Sequence, residues 1–332
     1  MKKLATVLAI SLAVVGCEKS KGSKLDNLAT NDDSAQQAPK AKKPNAVPIG
    51  TGTIEERVAR LEQSYAENAE ALDFLNKVYA QNKAQMEAQE QREPDPTAVF
   101  AVDITQNVKI GMVEGPATAP ITIIKAFDFA CPYCEQTSEI MHELVKDNGG
   151  KVRVVYKNLV VHPDTALPGH LASCAAAKQG KYTQFKDAFW KNAFGGYKAS
   201  GGKDKSPMLA DNIMKFSAEI GLNTTQLKAD MDGKDCQAFM QADMQELQKF
   251  KVNATPTFYV NGKFVGGAMG KEDFQKMIDE QLALVQKSGV SGGEYYEKVV
   301  MAKGEKQFRS KKAAEGGQGE QGAAPAGDGH PH

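Results

Sequence analysis

The sequence has no surplus of charge: Lys and Arg number 41, Asp and Glu 41, and the formal net charge is +0. A nucleic-acid-binding protein carries a basic footprint, which this chain lacks both overall and in any local motif. Long apolar runs are missing as well. The run at the start, Leu4 to Val15, is too short to cross a bilayer comfortably. Cysteine is scarce, with five in 332 residues, and beyond Cys131 and Cys134 none has the close spacing of a zinc site. Histidine is equally scarce. His142 falls on a helix and reads as a surface or packing residue; His330 and His332 stand isolated in a polar tail and carry no assignment. Nothing in this composition calls for a metal or a cofactor.

What the N-terminus does have is order in its composition. Lys2 and Lys3 precede the apolar run, and Gly16-Cys17 follows it. That is the layout of a secretory signal peptide over residues 1–17. The ending Val14-Val15-Gly16-Cys17 resembles the bacterial lipobox, which makes Cys17 a lipidation site and ties the chain to a membrane through an N-terminal lipid. The alternative is an ordinary secreted protein. Both place the chain outside the cytoplasm, where disulfides are permitted. Residues 18–53 are polar, with few large apolar groups, too few to offset the entropy of ordering; they read as a disordered tether.

Thr53 and Glu56 form a capping-box pattern that opens a helix over residues 54–92. Ile54, Val58, Leu61, Tyr65, Asn68, Leu72, Leu75, Tyr79, Asn82 and Met86 then recur at alternating spacings of four and three. A seam of that length is the pattern of a coiled coil, and hence of a homo-oligomer through residues 54–86. Flanking charge is thin beyond Glu55, Arg57 and Glu62, so a single amphipathic helix packed on its own domain stands as the other reading.

Pro94 and Pro96 stop this helix, and the pattern from residue 99 to 287 is that of a mixed α/β domain. Ile121 to Phe129 is a β-branched strand; a helix follows Cys131 and ends at Asn148-Gly149-Gly150; Lys151 to Tyr156 is a second strand. Strand, helix and strand in that order point to a parallel pair. Residues 165–250 are helical in pattern, with no strand, and their aromatic and Met stripes read as core. His162 and His170 fall in the loop where this region begins. Asn261-Gly262 then sets a hairpin, and Glu272 to Leu284 forms a closing helix. Residues 288–332 read as a mostly disordered tail with a short helix near Tyr295 to Met301.

The chemistry-bearing stretch is Cys131-Pro132-Tyr133-Cys134 at a strand-to-helix junction. A thiolate at a helix N-terminus is stabilised by unpaired backbone N–H groups and the positive end of the macrodipole. This lowers a cysteine pKa from ~8.5 towards ~3.5–7. Pro132 suits a first helical turn, and Cys134 lies on the same face as Cys131, within reach of a disulfide.

Taken with the downstream motifs, these residues carry a resemblance. Phe127 to Cys134, Lys151 to Lys157 followed by His162-Pro163, Gln179 to Phe185, and Ala254-Thr255-Pro256-Thr257-Phe258 with Val260-Asn261-Gly262 resemble the DsbA-like branch of the thioredoxin superfamily. The resemblance covers about residues 113–278. It implies a thioredoxin fold with an inserted all-helical subdomain, thiol-disulfide oxidoreductase activity, Cys131 as nucleophile and Cys134 as resolving thiol. It also implies a cis bond before Pro256 and a Thr255 backbone offered to substrate, and reads His162-Pro163 as packing at the domain junction. Exchange runs through a mixed disulfide. The implied partners are cysteine-containing protein substrates and a membrane redox partner that recharges the pair.

One departure stands out. Many relatives carry an acidic residue six positions before the first cysteine, where this chain has Lys125. Its ammonium stabilises the Cys131 thiolate, or else it snorkels to solvent and does nothing. Asp128, Pro132 and Tyr133 are further candidates for tuning the pair. Cys174 and Cys236 form a structural disulfide or remain two buried thiols. A second class of function also fits the sequence: a non-catalytic thioredoxin-fold lipoprotein that binds a partner or holds a soft metal ion with the cysteine pair.

Overall fold

The computed structural model describes residues 51–311 and 313. The signal peptide, Cys17, most of the tether and the end of the tail lie outside the described residues. By internal contacts the chain divides into two units, one ending at Asp73 and one beginning at Phe74. The division falls within the first helix, α1 (Ile54–Glu90). The capping box forms: Thr53 N–H donates to Glu56 Oε2 at 3.0 Å, and Glu56 N–H donates to Thr53 Oγ1 at 3.3 Å. No residue of α1 is buried. Among the described residues no helix is long and apolar enough to cross a membrane.

The second unit is built on a short helix α2 (Thr105–Ile110), a two-residue strand β1 (Val113–Glu114) and the strand β2 (Ile121–Phe127). The helix α3 (Pro132–Asp147) then leads to β3 (Val152–Asn158). Every residue of β2 and β3 is buried. This matches their β-branched runs, because a strand covered on both faces has no need of a polar alternation. The two strands pair in parallel, Ile121 opposite Val152 through Phe127 opposite Asn158.

Between β3 and the next strand come the helices α4 (Pro163–Lys178), α5 (Tyr182–Ala188), α6 (Gly195–Ala199), α7 (Ala210–Glu219), α8 (Thr224–Asp232) and α9 (Lys234–Lys249). A π-helical turn, Phe189–Phe194, joins α5 to α6. His170 lies inside α4, not in the preceding loop, and is fully buried. The chain returns to the sheet as β4 (Thr257–Val260) and β5 (Lys263–Gly266), and α10 (Lys271–Ser288) packs on β2, β4 and α3. The sheet order is β1-β3-β2-β4-β5, with β4 antiparallel to both β2 and β5. This is a thioredoxin-like mixed sheet with a helical insertion between β3 and β4.

The β4–β5 turn needs its glycine. Gly262 has φ +83°, and a Cβ there would meet Val99 Cγ1 at 2.7 Å and the Phe100 carbonyl at 2.8 Å. The close neighbour is real structure: Phe100 N–H donates to Gly262 O at 2.8 Å.

Past Ser288 the short helix expected near Tyr295 to Met301 is present, and the described residues around it are packed on the fold. A short helix α11 (Gly292–Tyr295) continues into a π-helical turn through Met301, burying Tyr295, Tyr296 and Val300. Tyr296 Oη donates to Val102 O at 2.7 Å, and backbone bonds link Val99 and Ala101 with Glu305. Arg309 pairs with buried Asp95 at 2.6 Å. Only a few apolar residues anchor this segment, which is why its Gly- and Lys-rich composition reads as loose.

Candidate active site

The site forms where β2 ends and α3 begins. Cys131 is the N-cap of α3, extended at φ −86° and ψ 119°, with Pro132 at the first helical position. The turn is closed by Cys131 N–H donating to Asp128 O at 3.1 Å and by Cys134 N–H donating to Cys131 O at 3.0 Å. Across from it, the Thr255–Pro256 peptide is cis, and Cys131 Sγ lies 3.4 Å from the Thr255 carbonyl, to which the thiol donates. Strand order thus brings Cys131, Cys134, Thr255 and Pro256 together, because β4, which follows Pro256, pairs directly with β2.

The two thiols differ sharply. Cys131 is held well below the usual thiol range, at about 5. Hydrogen bonding with the Cys134 thiol is the largest cause, opposed by burial and reinforced by Thr255 and the Cys134 and Tyr133 backbone N–H groups. Cys134 is fully buried, and burial pushes its thiol up, beyond the ordinary range. One thiol is therefore an exchangeable thiolate at neutral pH and the other a protonated reserve.

Lys125 sits beneath the pair. Its place on β2, opposite Tyr156 and Phe258, turns the side chain into the core, where it is 1% exposed. Snorkelling is thereby excluded. Nζ donates to the carbonyl of Cys134 at 2.9 Å and lies 6.0 Å from the Phe258 ring centroid. The amine is lowered to about 7, by burial first; Cys134 opposes this, Lys186 adds to it, and Cys131 and Glu114 oppose it.

Asp128 is fully buried and works as a staple. Its Oδ1 accepts from Ala130 N–H at 2.7 Å, and Oδ2 accepts from Val161 and His162 N–H at 2.6 and 2.9 Å. It ties the cysteine loop to the start of α4. Tyr133 points outward, 59% exposed. His142, half exposed, pairs with Glu114.

Cys174 and Cys236 are joined in a disulfide that links α4 to α9 across 62 residues of sequence. Cys131 and Cys134 are both free thiols. Among the described residues no group of three or more His, Cys, Asp or Glu converges as a metal-holding set.

Behind the site lies a polar network that the sequence reading missed. Asp243, on α9, accepts from Asn107 Nδ2, from Lys157 Nζ at 2.8 Å, and from Asn158 N–H and Nδ2. Asn158 Oδ1 in turn meets His170 Nδ1 at 2.7 Å, and His170 Nε2 accepts from Phe129 N–H at 3.3 Å. Burial lowers the imidazole to about 4, so it is neutral and free to accept. A signal was present: Asp243 falls on the same stripe of α9 as Cys236, Met240 and Leu247, and a carboxylate on an apolar face calls for a buried partner.

Comparison with known proteins adds the family. A family model described as thioredoxin matches residues 106–280. The disulfide bond formation protein D of Bacillus subtilis is 26% identical over 188 residues, covering 55% of this chain and 82% of that protein. A Na(+)/H(+) antiporter NhaA of Herminiimonas arsenicoxydans is 26% identical over 160 residues, covering 48% of this chain. The chain spans about a quarter of the length of the antiporters it matches, 24% in that case. Among solved structures, a thioredoxin-like oxidoreductase from Silicibacter pomeroyi superposes with a TM-score of 0.45 at 27% identity, over 52% of this chain and 91% of that one.

Proposed function

The chain belongs to the thioredoxin family, and on that premise we propose that it is an extracytoplasmic thiol-disulfide oxidoreductase acting on cysteine-containing proteins. Cys131 attacks a substrate disulfide, or is attacked in its own disulfide by a substrate thiolate, and forms a mixed disulfide. Cys134 resolves it. Thr255 and Pro256 face the reacting sulfur and offer backbone to an extended substrate peptide. The likeness to the Bacillus protein, whose name gives disulfide bond formation, supports this reading.

The observation that carries it is the asymmetry of the pair: a Cys131 thiol held at about 5 beside a Cys134 that is fully buried and shifted upward. A stabilised thiolate favours the reduced pair, and so favours donation of a disulfide to substrate. The oxidising direction then requires a membrane redox partner that recharges the pair. Cys17 is read as the lipid attachment that holds the chain at the membrane, and the exposed seam of α1 as the surface through which copies associate.

The direct test is the alkylation rate of Cys131 as a function of pH. The rate is expected to reach half its plateau near pH 5. A midpoint near ~8.5, the value of an unperturbed thiol, contradicts the redox-enzyme reading.

A further inference from the structure

Resting on the exchange chemistry above, we propose that Asp128 is a positioning residue of the redox pair: its carboxylate locks the turn that presents Cys131 to the loop that opens the helical insertion, and the pair keeps its reactive geometry only while that lock is closed.

β2 and β3 are parallel neighbours, so the loops that leave their ends lie side by side. One carries Asp128-Phe129-Ala130-Cys131 into α3; the other carries Leu159 to His162 into α4. The ladder runs one step further as Leu159 N–H donates to Phe127 O at 3.0 Å. Beyond that point the Asp128 side chain is the link.

Every N–H of the first loop has a taker. Burial pushes the Cys134 thiol up, and the Asp128 N–H, donating toward its sulfur, is among the groups that oppose this. Phe129 N–H donates to His170 Nε2 at 3.3 Å, Ala130 N–H to Asp128 Oδ1 at 2.7 Å, and Cys131 N–H to Asp128 O at 3.1 Å. From the second loop, Val161 and His162 N–H donate to Oδ2 at 2.6 and 2.9 Å. His162 Nδ1 lies 3.3 Å from Oδ1. Asp128 thus reaches the resolving sulfur through its N–H, the nucleophile's backbone through its carbonyl, and the insertion through its carboxylate.

The surroundings select a carboxylate. Asp128 is fully buried, and a buried charge is costly unless hydrogen bonds surround it. An ionised carboxylate is acceptor only, with sites for about four donors. Three backbone N–H groups and an imidazole converge on this one. An amide has a single acceptor oxygen and would turn its NH₂ against the N–H groups of one loop. Glu would carry the same charge one methylene too far into a packed space. The consequence reaches Cys131, whose thiolate relies on the Cys134 thiol first, then on Thr255 and the Cys134 and Tyr133 N–H groups. A turn released from the insertion no longer holds Sγ against those donors.

The test uses the full chain with Cys17→Ser, its redox pair reduced, and follows alkylation of Cys131 against pH by peptide mass spectrometry. Losing the aim of one hydrogen bond to a thiolate should raise the midpoint by about one pH unit in D128N, and by more in D128A. The reduction potential of D128N should fall by about 30 mV, the same tenfold expressed for a two-electron couple. D128E, which keeps the charge but not the fit, should shift in the same direction. Y296F, which removes a hydrogen bond to Val102 O far along the chain, should lose stability and leave the midpoint alone.

A second measurement needs no variant at position 128. Coupling between the lock and the thiolate is reciprocal, so the Val161 and His162 amides should exchange with deuterium about tenfold faster once the pair is oxidised. A parent midpoint near 5 that is unmoved in D128N and D128A overturns the proposal alone. So does a midpoint that falls in D128N and stays put in D128E, since Asp128 would then act by charge. Equal protection of Val161 and His162 in the two redox states overturns it as well. A parent midpoint near ~8.5 contradicts the exchange reading itself, and the proposal with it.

Discussion

Cys131 gains its reactivity from neighbours that are close in sequence and from one that is not. Pro132, Tyr133 and Cys134 supply the helix start, and Thr255 arrives from the far side of a helical insertion. A depressed thiol pKa is also a statement about stability. The folded chain keeps the Cys131 thiolate down to about pH 5, whereas the unfolded chain protonates it below ~8.5. Stabilisation of the reduced protein is thus fully present above the unfolded value and is lost as pH falls through the window towards 5. Denaturant midpoints of the reduced protein should rise from pH 5 to 8, and the rise should shrink in Cys131→Ser. An identical slope in that variant contradicts the assignment. Lys125 shows where sequence reading ends at this scale. Its identity was plain, but the two readings, ammonium or snorkel, turned on whether β2 is covered on both faces, which only the fold decides.

At the scale of elements, the insertion is held by two kinds of joint. One is the Cys174–Cys236 disulfide within the helices. The other is Asp243 of α9, which meets Lys157 of β3 in an ion pair with side chains 3% and 4% exposed. Breaking a buried pair strands the remaining charge, so Asp243→Ala should cost about 3–5 kcal/mol, read from urea denaturation. The double variant Asp243→Leu with Lys157→Met should recover part of that loss: it leaves no orphaned charge, although the buried Asn107 and Asn158 donors still lose their acceptor. A double variant as unstable as the single one contradicts this account of the joint. Strands and helices were legible from periodicity: β2 and β3 from β-branched runs, the β4–β5 hairpin from Asn261-Gly262, α10 from its amphipathic face. The network was not, since Asn107, Asn158 and Asp243 lie far apart in sequence and each alone is an ordinary polar residue. His170 was misplaced into a loop because Pro168 falls inside α4, where a proline usually marks a boundary.

At the scale of the molecule, the sequence sketches a signal, a tether, a long helix and a catalytic domain, and the described residues extend the last beyond its expected end. The segment after Ser288 reaches back to residues 95–102 through backbone bonds that composition does not reveal. α1 leaves Leu61 70% and Tyr79 68% exposed with no residue buried, and the proposal is that further copies of the chain cover this seam. Sedimentation of the full chain should show an assembly, and Leu61→Glu with Leu75→Glu should reduce it to a monomer without changing the Cys131 reaction with a small disulfide. A full chain that sediments as a monomer at micromolar concentration contradicts the self-association reading. The central claim, that Cys131 and Cys134 form an exchanging redox pair, is tested most directly by equilibrating the protein with glutathione buffers and measuring its reduction potential. The account predicts ready exchange and a potential on the oxidising side, about −120 mV. A value of about −270 mV would reverse the direction of transfer, and a pair that does not exchange with glutathione at all contradicts the account.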